Sequence, residues 1–202
     1  MPPSPPVEAT VELRRPTLEL LPGFVEALNR GWSPDNVLGK AAADAALERI
    51  DADPAAFVEA MYDPEGKGEA IVLADGTRLE RIPGYVLWIW DGTFCGSINF
   101  RWQPGTSALP AHVLGHIGYA VVPWKQGLGR ASEALRLLLP LAWAQGLDHV
   151  ELTTDADNLA SRKVILNNDG EVVEFFQKPE MYGGAESVRY RILRPPQAGS
   201  GS

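Results

Sequence analysis

GHIGYAVVPWKQGLGRA, residues 115–131, joins two patterns of different period. Its first half predicts a strand from Leu114 to Val122, with β-branched Ile117, Val121 and Val122, and Pro123 stops it because proline cannot donate to a ladder. Gln126-Gly127-Leu128-Gly129 then makes a turn that opens a helix bearing Leu128, Ala131, Leu135, Leu138 and Ala142 at helical spacing. Glycines at 127 and 129 let the backbone approach a ligand closely. The free N–H groups of the first helical turn, with the positive end of the helix dipole, favour phosphate oxygens. A tight turn that needs two glycines for packing alone has the same sequence, so the residues by themselves leave both readings open.

With 202 residues the chain has the length of one domain with a sizeable core. No apolar run approaches membrane-spanning length, and the longest, Leu137 to Ala144, contains Pro140. The N-terminal MPPSPPVEAT has neither the basic start nor the apolar segment of a secretory signal, so a cytoplasmic protein without membrane partners is expected. One cysteine, Cys95, excludes an internal disulfide and a cysteine zinc site. A net charge of −8 argues against a nucleic-acid partner and weakly favours cationic or neutral substrates. His112, His116 and His149 lack metal-ligand spacing, so no metal is expected. Neither a G-x-S-x-G elbow nor a Walker-type phosphate loop is present.

The elements follow in order. Residues 1–9 read as a disordered arm, 10–194 as a single domain and 195–202 as a flexible tail. A short strand over Val11 to Arg14 precedes a helix from Thr17 to Asn29. A second helical region, Gly39 to Met61, is broken at Asp53-Pro54, where Asp53 restarts it. A hairpin is expected over Ala70 to Ile82, turning at Ala74-Asp75-Gly76. A stronger one pairs Tyr85 to Trp90 with Thr93 to Trp102 across a two-residue Asp91-Gly92 turn. Across that turn Trp88, Trp90, Cys95, Ser97, Asn99 and Arg101 share one face, while Leu87, Ile89, Phe94, Ile98 and Phe100 share the other. The mixed face could line a substrate cleft, with Trp88, Trp90, Asn99 and Arg101 as contacts, or lie under a helix. Pro140 should kink or end the long helix. Further strands are expected at Val150 to Thr154, Val172 to Phe176 and Ser187 to Leu193, with a helix at Asn158 to Asn168. This order predicts an α+β fold, a mixed and mainly antiparallel sheet flanked by helices.

GSINFRW, LGHIGYAVVPWKQGLGRASEALRLLLPLA and LTTDADNLASRKVILNN, within Gly96 to Asn168, resemble the GNAT superfamily of acyl-CoA-dependent N-acetyltransferases. The resemblance implies that family's fold and acetyl-CoA as co-substrate. By it, Val121 and Val122 would face the pantetheine arm, Lys125, Gln126, Gly127, Leu128, Gly129, Arg130 and Ala131 would form the pyrophosphate cradle, and Asn158, Ser161 and Arg162 would lie near the pantetheine. The family turn begins with Arg or Gln where this chain has Trp124, so Lys125 or Arg130 would supply charge. Many members carry a thiolate-protonating tyrosine where this chain has Ile165, which leaves solvent, Tyr182 or Tyr190 for that role. Relatives are frequently dimers.

Direct acyl transfer to an amine needs an unprotonated nucleophile and a proton for the departing thiolate. His116, on the central strand beside small Gly118 and Ala120, reads either as the base or as a partly buried histidine hydrogen-bonded to a backbone carbonyl, and Asp155 either orients the amine or is a solvated or helix-capping carboxylate. The implied function is transfer of acetyl from acetyl-CoA to a primary amine of a small molecule or peptide. The alternative is a catalytically degenerate acyl-CoA-binding or interaction module. Acceptor contacts are expected from Trp32 to Asp63, Gln103 to Val113 and Pro179 to Gly184.

Overall fold

The computed structural model describes residues 10–72, 76 and 78–196. The N-terminal arm, the turn residues Ala74 and Asp75 and the tail from residue 197 lie outside the described residues. The chain runs β1 (Glu12–Arg14), α1 (Leu21–Asn29), α2 (Lys40–Ala52), α3 (Pro54–Glu59), β2 (Tyr62–Asp63), β3 (Ile71–Val72), β4 (Arg78–Leu79), β5 (Gly84–Trp90) and β6 (Phe94–Arg101). It continues through β7 (Ile117–Val121), α4 (Arg130–Trp143), β8 (His149–Asp155), α5 (Leu159–Leu166), β9 (Glu171–Gln177) and β10 (Glu186–Leu193).

The strands make two principal antiparallel sheets. One has the order β1-β5-β6-β7, with β2 also paired to β5; the other has the order β8-β10-β9. One face of the first sheet buries Ile89, Ile98, Phe100 and Ile117 against Leu135 and Leu138 of α4, and Val150, Leu152, Val188 and Tyr190 of the second sheet join this core. The opposite face presents Trp88, Phe94 and Val122 to Phe24, Ala43, Ile50 and Phe57 of the N-terminal helices and to Trp32 in the loop after α1. Local signals explain several boundaries. Asp53 caps α3 by accepting from the N–H groups of Ala55 and Ala56 at 3.1 and 2.9 Å, and Pro54 occupies the first helical position.

Of the two outcomes expected at Pro140, an end to the helix is not the one seen: α4 continues to Trp143. Pro140 lies on the exposed side, so the carbonyl it leaves unbonded one turn earlier, on exposed Arg136, can be solvated. The β5–β6 hairpin does not close through a two-residue turn either. Trp90 pairs with Phe94 while Ile89 pairs with Gly96, so Cys95 is an extra residue in β6. Gly96 takes a φ of 141° there, and a side chain at this position would run into the Ala120 carbonyl. The bulge exchanges faces: Cys95 enters the α4 core, and Phe94 joins Trp88 beneath α1.

Candidate functional site

β7 and β8 belong to different sheets, yet they touch at one end. The His116 N–H donates to the Glu151 carbonyl at 2.7 Å, and the Glu151 N–H donates to His116 Nδ1 at 2.9 Å. Beyond this clasp no ladder joins β7 to β8. On the other side of β7, Arg101 N–H bonds the His116 carbonyl and Val122 N–H bonds the Cys95 carbonyl, both at 2.9 Å. Alternation along an antiparallel strand therefore turns the backbone groups of Tyr119 and Val121 away from β6, into the gap. Val122 does not face the gap as expected: its N–H is held by β6 and its side chain is buried under the N-terminal helices.

At the end of β7 the chain makes a short turn over Pro123–Lys125 and reaches Gly127 and Gly129 with φ of 74° and 75°. A side chain added at either glycine would meet nothing within 4 Å, so packing does not require these glycines. The backbone requires them, because positive φ is costly for other residues. Among the described residues the N–H groups from Gly127 to Ser132 donate to no protein acceptor, and the first N–H to return to the helix is that of Glu133, bonded to the Gly129 carbonyl at 3.0 Å. Six successive donors at a helix N-terminus form an anion-binding concavity. The residues present thus fit the pyrophosphate of CoA.

The side chains around this turn are arranged differently from expectation. Lys125 and Arg130 are both ion-paired to Asp91 of the β5–β6 turn, Arg130 at 2.9 Å, and Lys125 also contacts Thr93 Oγ1 and Cys95 Sγ. Burial raises the Asp91 pKa, but hydrogen bonds and the charges of Lys125 and Arg130 outweigh it and hold the carboxyl below its usual range. The two cations are thus already partnered, and the cradle rests on backbone donors. Gln126 Nε2 donates to the Val121 carbonyl at 3.2 Å, bracing the turn against β7. Leu128 is exposed, and Ala131 is half-buried on the first turn of α4. Trp124 carries the Arg30 guanidinium 3.5 Å from its ring centre, so α1 brings a cation to the turn.

Across the gap stands the start of α5. Asn158 caps it, accepting from the Ser161 N–H at 3.0 Å, which leaves its exposed amide nitrogen as a donor. Tyr119 reaches over from β7 to the Ser161 hydroxyl at 2.9 Å. Burial pushes the Tyr119 pKa up to about 12, so this hydroxyl stays protonated. Arg162 is engaged structurally: its Nε donates to the Tyr190 hydroxyl at 2.9 Å and its Nη1 to the Ala156 carbonyl at 3.0 Å. These bonds commit two of its nitrogens, and the Tyr190 hydroxyl that accepts one of them belongs to a fully buried side chain. Ile165 is buried in the core.

Of the two readings of His116, the structure favours the buried one. The ring is fully buried, Nδ1 is engaged by the Glu151 N–H, and Nε2 is enclosed without a partner. Burial, more than the surrounding charges, pushes its pKa down to about 4. A base that must collect a proton from a substrate amine needs access and a pKa nearer neutrality. The imidazole instead fastens the closed end of the gap. Trp88 is corrected: it is fully buried, stacked 5.3 Å from Phe24 and edge-on to Phe94 at 5.9 Å, so it is core. Trp90 packs against Gly23 of α1 and near Arg14, away from the cavities. Asp155 is ion-paired with Lys178 and accepts from Ser187 Oγ at 3.2 Å.

Two adjoining cavities open beside β7. One, of about 190 Å³, is lined by Arg101, Gly118, Thr153, Lys178 and Tyr182 among others. The other, of about 370 Å³, draws on Met61, Asp63, Asn99, Arg101, His112 and Tyr182. Arg101 and Tyr182 belong to both. The three segments expected to meet an acceptor each contribute a wall, through Asp63, His112 and Tyr182. Asn99 lies over Gly118, where an added Cβ would come within 3.1 Å of its amide. Asp91, Arg30 and Tyr119 were not legible as site residues, because their partners lie 34, 94 and 42 positions away in sequence.

Comparison with known proteins bears on this geometry. A family model described as an acetyltransferase (GNAT) domain matches residues 37–171. No curated protein matches the sequence. Among solved structures, the microcin C7 self-immunity acetyltransferase MccE, in complex with acetyl-CoA and AMP, is 15% identical with a TM-score of 0.60, over 91% of this chain and 92% of that one. RimL, a ribosomal L7/L12 α-N-protein acetyltransferase in complex with coenzyme A, is 16% identical with a TM-score of 0.60, over 93% and 96% of the two chains. A Salmonella typhimurium acetyltransferase that modifies the N-terminal serine of L7/L12 is 16% identical with a TM-score of 0.59, over 94% and 98%. At these identities the likeness is one of fold.

Proposed function

The chain belongs to the GNAT acetyltransferase family, and from that premise we propose that it transfers the acetyl group of acetyl-CoA to a primary amine of a small molecule or peptide by direct attack. The observation that carries this reading is the row of unpartnered N–H groups from Gly127 to Ser132 at the mouth of the β7–β8 gap. The row would hold the pyrophosphate, the outward backbone of Tyr119 and Val121 would pair with the amide-bearing arm, and the Asn158 amide would donate from the opposite wall. When bound, the co-substrate supplies an acyl group activated as a thioester.

This chain's residues then have three tasks. The clasp at His116 fixes where the gap closes and so how deep the arm can reach. The adjoining cavities orient the amine, with Arg101, Asn99 and Tyr182 on their walls. The Tyr119 hydroxyl, bonded to Ser161 one turn before Ile165 on α5, would donate the proton that Ile165 cannot. Protein or peptide N-termini are one acceptor class consistent with the neighbouring folds, and small amines are another.

Calorimetry with acetyl-CoA and desulfo-CoA tests the reading. Wild type should bind both, and Gly127→Glu, which sets a carboxylate into the cradle, should lose at least tenfold in affinity. Equal binding by the variant sinks the assignment of the cradle. A second reading, a degenerate acyl-CoA-binding module, draws on buried Ile165 and inaccessible His116. It predicts CoA binding with no transfer to any amine in a broad panel.

A further inference from the structure

Arg101, the last residue of β6, sits on the wall shared by the two cavities. Among the described residues it makes no ion pair, and its one side-chain hydrogen bond runs from Nη2 to Asn99 Oδ1 at 2.7 Å. The other cations around these cavities are engaged, Arg81 through Nε to the Glu69 carbonyl at 2.7 Å. Lys178 pairs with Asp155, Arg189 and Arg191 both pair with Glu151, and Arg162 is held by Tyr190 and the Ala156 carbonyl. Two acids line the larger cavity, Asp63 and Glu80; neither is ion-paired with Arg101 among the described residues, and Asp63 accepts from the N–H groups of Lys67 and Gly68 at 2.9 and 2.8 Å. A guanidinium carries five N–H donors in a planar fork, and one neutral amide acceptor leaves most of them unmatched. A partly buried cation in that state is costly unless something fills its place.

We propose that the acceptor amine carries a carboxylate, held by Arg101 in the cavity bounded by Gly118, Thr153, Lys178 and Tyr182. This rests on the reading above that the chain acetylates an amine. A planar carboxylate accepts two parallel bonds from the fork, and about 190 Å³ accommodates a group the size of an amino acid. The chain's net charge of −8 does not oppose this, because distant charges are screened over about 8 Å at physiological salt while the guanidinium acts at contact. The same positive charge disfavours the ammonium form of an amine bound beside it. Arg101 would thereby help supply the neutral nucleophile that buried His116 cannot generate.

The carboxylate has two sources, which the test separates. One arm compares free α-amino acids with their α-amides. The other compares tripeptide amides beginning with Asp or Glu with those beginning with Asn or Gln. Each probe is assayed for acetyl transfer and, independently, for equilibrium binding in the presence of desulfo-CoA, on wild type and on Arg101→Gln. In at least one arm the carboxylate member should be preferred by roughly ten- to a hundredfold, the range for charged hydrogen bonds. The preference should vanish in Arg101→Gln while desulfo-CoA affinity and melting temperature hold. Uncharged partners used equally well in both arms, a preference that survives Arg101→Gln, or no carboxylate bound in either arm overturns the proposal. Carboxylates that bind through Arg101 without being acetylated uphold the site and refute the proposed activity; amines acetylated without regard to a carboxylate do the reverse.

Discussion

Replacing His116 with Asn separates a clasp from a base. Asparagine Oδ1 can take the place of Nδ1 and accept the Glu151 N–H, but it does not titrate. Burial holds the imidazole neutral in the folded chain, with a pKa of about 4 in place of the ordinary histidine value of about 6.5. Above pH 6.5 the histidine is neutral in both states and contributes no pH dependence. Between 6.5 and 4 the unfolded chain takes up the proton and the native chain does not, so wild type loses stability as pH falls through this window. Protonation of the unfolded chain alone across this window corresponds to about 3 kcal/mol. The Asn variant starts less stable at pH 7.5, because it fills less of the ring's space, but lacks this loss, so the gap between the two proteins should close by about 3 kcal/mol near pH 4. Urea titrations followed by tryptophan fluorescence at pH 7.5, 6, 5 and 4.2 measure it. Stability curves that stay parallel over that range refute the buried neutral imidazole. A hundredfold fall in kcat at pH 7.5 with unchanged CoA affinity would restore His116 as the base.

Other substitutions test the surroundings. Asp91→Asn removes the charge between Lys125 and Arg130 and should cost about 1–3 kcal/mol in denaturant titrations. It should also raise CoA affinity at low salt, since both cations become free to face the phosphates. The Asp91 contribution is present above the ordinary aspartate pKa and is lost as pH falls through its lowered value, so the acid limb of unfolding should flatten in the variant. Trp88→Ala should cost about 3–5 kcal/mol by opening a cavity in the core. Trp88→Phe should cost far less, because it also deletes a buried indole N–H that has no partner. Neither should shift the KM of the acceptor; a large shift would return Trp88 to the cleft.

The sequence by itself determined the local devices. The strand at Ile117–Val121, the glycines that only positive φ explains, the apolar stripe of α4, the Asp53 cap and the Asn158 cap all follow from neighbours within a few residues, so their patterns are written along the chain. Only the tertiary structure decided what covers each face and which charge meets which. Periodicity marked the Trp88 face as distinct, but not that α1 lies over it. One extra residue, Cys95, exchanged the faces of Cys95 and Phe94, because side chains alternate with a period of two. His116 became a clasp because Glu151, 35 positions on, offers a backbone N–H to its ring. Lys125 and Arg130 were drawn onto Asp91, while Arg101 was left facing a cavity without a counter-ion among the described residues. Such partnerships depend on distances in space between residues far apart in sequence, and no local pattern encodes them.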